Sequence, residues 1–306
     1  MNDWMKRSVG VSFHWTTHSV NTDGTALPFA GAVGAFDVDR FVRSLKNIGA
    51  GHVIFTLTHA EQYMAFPNEA LESVLPGRTA KRDLIGEIIE ALDKAGIRFI
   101  AYYNHSCNGG DDPLWKKACG YESAKLDTFA DIICGIVSFT AKRYGRLLSG
   151  WWFDSAYSVD PRGPHNTISC DMGDWRFPWG KLISAAKAGS DDCAVAINAG
   201  IGSNFLYAPG QDYYCGETVD IHEIFRPDEV PGMIGHRWTC IDSLDWVFHK
   251  GRKSFAEPRF SVGEITDFVK SNLSAGRMTT FNMEIAQNGE INPKSLELFE
   301  MMRERL

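Results

Sequence analysis

Apolar residues in this chain fall into two alternating patterns. Short runs rich in Val, Ile, Phe, Tyr and Trp are separated by polar loops and by stretches in which apolar residues recur at helical spacing. The short runs are VGVSFHW (9–15), HVIFTLT (52–58), RFIAYYN (98–104), GWWFDSA (150–156), CAVAINA (193–199), DYYCGE (212–217), RWTCID (237–242) and MTTFNME (278–284). Several are apolar on successive residues, as expected of parallel strands buried on both faces. DVDRFVRSLKNIGA and RDLIGEIIEALDKAGI carry a helical period and end on glycine stop signals, the second at Gly96. Long helices are also predicted from about Glu122 to Tyr144, over SVGEITDFVKSNLSAG, and over INPKSLELFEMMRERL behind a helix-compatible proline. Helix signals are weakest between the fifth and seventh runs.

Eight strands alternating with helices over 306 residues is the inventory of an α/β (β/α)₈ TIM-like barrel. No G-x-G-x-x-G or Walker loop follows an early strand, which disfavours a doubly wound sheet. With no linker or low-complexity segment, a single-domain barrel over 1–306 is expected.

Composition narrows the function classes. Apolar content of 44% and charged content of 23% are ordinary for a globular protein. A net charge of −7 argues against nucleic-acid and anionic-membrane partners, which require basic surfaces. The N-terminus, MNDWMKRSVGVSFHW, lacks the apolar stretch of a signal peptide. The seven cysteines are spread out, odd in number and never in C-x-x-C, so neither a disulfide framework nor a structural zinc site is signalled. These features lead to an expected cytoplasmic location, no cofactor and no metal.

In a barrel the C-terminal strand ends form the active face. Those ends carry His14 and Trp15, His59 and Glu61, Asn104 and His105, Asp154, Asn198, Glu217, Asp242, and Asn282 with Glu284. Each has a plain structural reading. Asp154 could be a helix cap or turn residue, Glu217 a solvated acid, each histidine a satisfied core residue, and Trp151–Trp152–Phe153 core. Together they suggest a polar, aromatic-walled pocket of the kind that binds sugars. Two chemistries use such a set: paired carboxylates flanking a glycosidic bond, or histidines with an acid holding a metal that activates water. The first strand offers FHWTTH, not H-x-H, and H-E-x-x-H is absent, so the metal reading, which would use His14, His59, His105 and Asp154, is the weaker.

At this point the chain resembles the catalytic domain of glycoside hydrolase family 29, the retaining α-L-fucosidases. VGVSFHWTTHSV is similar to that family's F-G-x-F-x-H-W-G-x-x-S-V, and HVIFTLTHAEQY to its T-x-K-H-H-D-G-F. TAKRDLIGEIIEALDKAGIRFIAYYN matches its R-D-x-x-x-E-x-x-x-A-x-x-x-G segment and the Y-Y that follows. GWWFDSA is similar to the W-F-D-G strand that carries the nucleophile, and GQDYYCGE to the D-Y-x-T-P-E segment that supplies the acid/base. RWTCIDSLDW resembles W-E-x-C-x-x-x-x-x-W-G-Y, so the likeness runs from about residue 8 to the C-terminus. The family's C-terminal β-sandwich has no counterpart in the sequence and is expected to be absent.

The resemblance implies Asp154 as nucleophile and Glu217 as general acid/base, with Glu61 or Glu223 as alternates for the latter. It implies His14, Trp15, His59, Glu61, Trp152 and Trp238 as substrate-binding residues. The chain departs from the family at sugar-contacting positions. The second of two consecutive histidines is Ala60, Asp-Gly-Phe is Glu61-Gln62-Tyr63, Thr-Pro before the acid is Cys215-Gly216, and Trp-Glu is Trp238-Thr239. An arginine often found before the acid/base strand has no equivalent near Asn198-Ala199-Gly200. The expected activity is therefore retaining hydrolysis of an α-L-fucoside or related deoxy-sugar glycoside, with a carbohydrate-binding or degenerate barrel as the rival. An oligosaccharide or glycoside is the expected partner, with homo-oligomerisation left open.

Overall fold

A computed structural model describes residues 2–306 except 124, 166, 169 and 224–229. Among the described residues, seven strands form one wholly parallel sheet: β1 (Val9–Phe13), β2 (His52–Thr58), β3 (Arg98–Asn104), β4 (Leu148–Asp154), β5 (Ala194–Ile197), β6 (His236–Cys240) and β7 (Met278–Asn282). Their order is β5-β4-β3-β2-β1-β7-β6, so the chain's first strand lies inside the sheet beside its last. Helices α1 (Phe29–Ala35), α2 (Val38–Asn47), α3 (Glu69–Val74), α4 (Leu84–Lys94), α5 (Pro113–Ala118), α6 (Leu126–Tyr144), α7 (Trp179–Ala186), α8 (Val262–Ser274) and α9 (Pro293–Arg303) follow the strands. The five helices read from periodicity are α2, α4, α6, α8 and α9.

Local chemistry sets their ends. Asp83 caps α4 by accepting from the Gly86 N–H, and the same carboxylate takes Arg143 and Tyr144 from α6, tying two helices together. Ser261 and Glu264 form a reciprocal capping box at the start of α8. Gly96 and Gly145 adopt positive φ just past α4 and α6, where the chain must leave the helix.

The strands divide their residues by parity. One set, including Val11, Phe13, Val53, Phe55, Phe99, Trp151, Phe153, Val195 and Phe281, joins the large core shared with the helices. The other set, including Ile54, Ile100, Tyr102, Trp152, Ala194, Ala196, Trp238 and Met278, packs together on the concave face. Burial on both faces explains the near-continuous apolar runs in the sequence.

The sequence expectation of eight strands is corrected at 212–217. That segment is not a regular strand; it makes isolated parallel bridges from Tyr213 to Ile234 and from Glu217 to Trp238. On its other side, the Asp212 N–H donates to the Val195 carbonyl at 2.8 Å. It therefore lies between β5 and β6 without continuous pairing. Gly216 is the physical reason: its φ of +66° breaks the extended chain, and a Cβ there would lie 1.9 Å from the His236 carbonyl oxygen.

The end of the sheet opposite the strand C-termini holds a buried polar layer. His52 Nδ1 meets Ser8 Oγ at 2.6 Å and its Nε2 meets Thr280 Oγ1 at 2.7 Å, while His236 Nε2 reaches the same threonine at 2.7 Å. Burial pushes the His52 imidazole down to about 3, so it is neutral at neutral pH. Gly10 on β1 makes room for this ring, because a Cβ there would meet the His52 carbonyl oxygen at 2.2 Å and its ring carbons at 2.7 Å. Gly10→Ala is therefore expected to destabilise the protein by at least about 2 kcal/mol. Urea denaturation checks this; an unchanged midpoint would contradict the packing described.

Candidate active site

A cavity of about 200 Å³ opens at the C-terminal ends of the strands, between Asp154 and Glu217 on one side and His14 and His59 on the other. Register creates it. Asn104 ends β3 directly beside Asp154 at the end of β4, and the Asn198 N–H bonds the Phe153 carbonyl at 2.8 Å, carrying β5's line one residue further. Asp154, Asn104 and Asn198 thus share the inward parity of Tyr102 and Trp152 and meet at one level.

Three donors converge on Asp154. Its Oδ2 accepts from the Tyr102 hydroxyl at 2.5 Å and from Asn104 Nδ2 at 3.0 Å; its Oδ1 accepts from Asn198 Nδ2 at 2.9 Å. Asp154 caps no helix. The residue after it, Ser155, turns left-handed with φ +69° and is itself the N-cap of a short 3₁₀ turn over Ala156–Ser158. That turn is held from two sides, since His105 Nε2 donates to the Ser155 carbonyl at 2.9 Å and Asn108 Nδ2 to the Ser155 hydroxyl at 2.8 Å. A non-glycine residue in this region costs on the order of 1–3 kcal/mol, which such bonds offset.

Glu217 faces Asp154 across one amide. Asn198 Nδ2 donates to Glu217 Oε2 at 2.6 Å as well as to Asp154 Oδ1, and the Gly200 N–H at Asn198 Oδ1 fixes which end of the amide carries the hydrogens. Two oxygens lying 2.6 Å and 2.9 Å from a single nitrogen are at most about 5.5 Å apart. Burial, then the adjacent Asp154 carboxylate, push the Glu217 carboxyl up to about 8, against the opposing hydrogen bond from Asn198. Near neutral pH this acid holds its proton.

The opposite wall is neutral. Asn282 donates through Nδ2 to the Trp246 carbonyl, so its Oδ1 accepts from His14 Nδ1 at 2.9 Å. This assigns the Nδ1–H tautomer to His14 and leaves its Nε2 as an acceptor. Burial and the nearby His59 push His14 down to about 3, and burial also lowers His59. The rings of His14 and His59 meet edge to face at 5.2 Å. Ser12 links the same network to Trp238, taking the indole N–H at 2.7 Å and donating to Asn282 at 3.2 Å. Tyr102 stacks on Trp152 at 5.1 Å, completing an aromatic floor.

Of the residues singled out from sequence, the structure brings Asp154, Glu217, His14, His59, Trp152 and Trp238 around this one cavity. Trp15 does not line it. One residue past His14, it has the opposite parity, packs among Phe29, Phe36 and Phe55, and donates its indole N–H to the Gln287 carbonyl. Glu61 lies outside the cavity too, accepting the Thr17 hydroxyl at 2.5 Å beside a smaller hollow. Glu223 is exposed at the surface, so neither alternate carboxyl faces Asp154.

Three further strand-end groups are structural. His105 spends both ring nitrogens on backbone, one on Ser155 and the other on the Cys107 N–H, and so does not join His14 and His59. Asp242 takes the Ser295 hydroxyl and the Glu284 N–H, and burial pushes its carboxyl up to about 7. Glu284 accepts from the Ala256 N–H and pairs with Arg252 at 3.0 Å. Among the described residues, no group of three or more His, Cys, Asp or Glu is arranged to hold a metal ion, and no helix is long and apolar enough to cross a membrane.

Sequence reasoning passed over Tyr102, Asn108, Tyr157 and Trp246, all of which line the cavity. Tyr102 could have been found by parity, two residues before Asn104. Trp246 lay within RWTCIDSLDW as an unassigned aromatic; it stands at φ +58°, 37% exposed, at the cavity mouth. Asn108 sits in a loop and Tyr157 in the short 3₁₀ turn after β4, where spacing carries no directional signal.

Paired acids beneath aromatic rings, at the C-terminal edge of a parallel sheet, are the arrangement of a glycoside hydrolase. The chain belongs to the alpha-L-fucosidase family, whose sequence description matches residues 1–304. No curated protein matches it. Among solved structures it is similar to the endo-fucoidan hydrolase MfFcnA4 from glycoside hydrolase family 107, with a TM-score of 0.70, 18% identity, and coverage of 98% of this chain and 52% of that one. It therefore spans about half the length of that relative. It is likewise similar to an alpha-L-fucosidase GH29 from Bacteroides thetaiotaomicron, with TM-score 0.69, 16% identity, and 100% and 72% coverage. A third is the alpha-L-fucosidase AlfC in complex with Fuca(1,6)GlcNAc, with TM-score 0.66, 15% identity, and 100% and 98% coverage. At these identities the likeness establishes a shared fold.

The electrostatics of the pair are directly measurable. In carboxyl-labelled protein followed by NMR, Glu217 is expected to titrate near 8. Asp154→Asn removes the neighbouring charge and should lower that midpoint, whereas Asn198→Ala removes a hydrogen bond to the charged form and should raise it. A Glu217 midpoint near the usual value of about 4.3 would contradict the site as described.

Proposed function

We propose that the protein is a retaining glycoside hydrolase that cleaves α-L-fucosides, or glycosides of a related deoxy-sugar, through a covalent glycosyl-enzyme. The observation that carries this reading is the single Asn198 amide bonded to both carboxyls. It keeps their nearest oxygens within about 5.5 Å, the separation at which one acid reaches the anomeric carbon directly and no water fits between them. Inverting enzymes keep their acids roughly 6.5–9.5 Å apart.

The roles follow from the hydrogen bonds. Asp154 Oδ2 is occupied by Tyr102 and Asn104, while among the described residues Oδ1 accepts from Asn198 alone, through the amide that also bonds Glu217. Oδ1 attacks the anomeric carbon as the bond to the leaving oxygen breaks. Glu217, protonated because burial and Asp154 raise it, gives its proton to that oxygen. In the second step water attacks the same carbon, Glu217 takes the water's proton, and the Asp154 carboxylate is released. Trp152, Trp238 and Trp246 supply faces for the sugar, and the neutral His14 and His59 supply hydrogen bonds to its hydroxyls. The fucoside preference rests on family membership. We further read the 212–218 segment as standing where the sixth strand of an eight-stranded barrel would lie.

Hydrolysis of an aryl α-L-fucoside tests the proposal. The wild-type protein should release the sugar first as its α anomer by NMR and should keep its activity in EDTA; Asp154→Ala should lose about 10³-fold or more of kcat. Because Glu217 must be protonated, kcat/KM should fall as pH rises through about 8. A β first product, or activity that depends on added metal, would overturn the reading.

A further inference from the structure

A second cavity, of about 440 Å³, adjoins the first. His59 lines both cavities, and Trp246, flanked in sequence by Asp245 and Val247 of the second, lines the first. Its walls are built. Ser19 and His249 form an antiparallel bridge, the Val20 N–H donates to the Phe248 carbonyl at 3.1 Å, and Val20 and Phe248 pack with Ala286 in a small core of their own. The loop after β1 and the loop after β6 are thereby fastened together, with a space between them. Ala60, standing where the resembling motif has a histidine, faces that space with no more than a methyl group.

Polar groups of the type that bind sugar hydroxyls face this cavity: Thr17, His18, His249 and Lys250. His249 Nδ1 donates to the Lys250 carbonyl at 2.9 Å, which leaves the other ring nitrogen, Nε2, for a second partner. Asp245 Oδ2 stands 3.6 Å from that Nε2 and from Arg252, while Lys250 has no carboxylate partner among the described residues.

Orientation follows from the carboxyl pair. If Asp154 and Glu217 grip the anomeric carbon, the leaving group departs on the Glu217 side, and the hydroxyls farthest round the ring point at His14 and His59. The second cavity adjoins that wall, with His59 common to both. We propose that it is a second carbohydrate subsite, taking a sugar carried on the far hydroxyls of the residue being cleaved. Resting on the hydrolytic reading above, this makes the substrate class an internal, already glycosylated fucoside. The enzyme then cuts within a chain and releases an oligosaccharide, in place of removing single terminal sugars.

Two aryl glycosides test it: aryl α-L-fucoside, and the aryl α-glycosides of difucosides in which a second fucose sits on the 3- or the 4-hydroxyl. At least one difucoside is expected to be cut with kcat/KM about tenfold or more above the simple fucoside, with the intact disaccharide released. The Lys250→Ala/His249→Ala double variant should erase that gain and leave the simple fucoside within about twofold. Equal rates, refusal of both difucosides, or trimming from their non-reducing ends overturns the subsite. Calorimetry of the free disaccharides and of methyl α-L-fucoside with Asp154→Ala separates the two claims. Tighter binding of a disaccharide without turnover of any glycoside sustains the subsite and fails the hydrolytic reading; equal binding overturns the subsite.

Discussion

Neighbouring parallel strands stay in phase, so every second residue of each strand is committed to the same face, and this constraint decides which side chains can meet. On the concave face the inward rows run from the buried imidazoles of His52 and His236, through Ile54, Ile100, Trp152 and Ala196, to Asn104, Asp154, Asn198 and Asn282 at the strand ends. The middle of the β3, β4 and β5 rows is apolar, while β1, β2 and β7 carry Ser12, Thr56 and Thr280 there, each hydrogen-bonded within the protein. A one-residue change of parity sends an aromatic into the helical layer, which is the fate of Trp15. The edge of the cavity is thus the last inward position of several strands, read across the sheet.

Placing two carboxyls at that edge has an electrostatic consequence. Both lose water, and each opposes ionisation of the other, so the pair is most comfortable sharing one charge. The surroundings agree with that. His14 and His59 are kept neutral by burial, the Tyr102 hydroxyl is pushed well above its ordinary range by burial and by Asp154, and Tyr157 is raised chiefly by Asp154 and then by burial. No cation among these groups competes to pair with the acids. Asn198 meets both without adding charge, which an arginine or lysine in its place could not do.

Much of this was legible in the sequence, for identifiable reasons. Strands buried on both faces leave dense apolar runs, and helices leave an apolar period with a glycine stop, so the regular elements could be read. Asp154 could be found because an acid ending GWWFD has no helix after it to cap. What failed was directional. DYYCGE has a strand's composition, yet Gly216 turns left-handed and breaks the pairing. Trp15 and Glu61 were assigned to the pocket by closeness to strand ends, although parity excludes the first and the Thr17 contact engages the second. Asn108 reaches the cavity from a loop and Tyr157 from a single 3₁₀ turn, where only tertiary contacts decide direction.

The central claim is the division of labour between Asp154 and Glu217, and azide addition to the two alanine variants tests it most directly. In Glu217→Ala, azide attacks a glycosyl-enzyme that Asp154 has already formed, so the account predicts an α-glycosyl azide from an activated aryl α-fucoside. In Asp154→Ala, azide replaces the missing nucleophile on the intact substrate, and the account predicts the β-glycosyl azide. The same anomer from both variants, or no azide product from Asp154→Ala, would contradict the assignment.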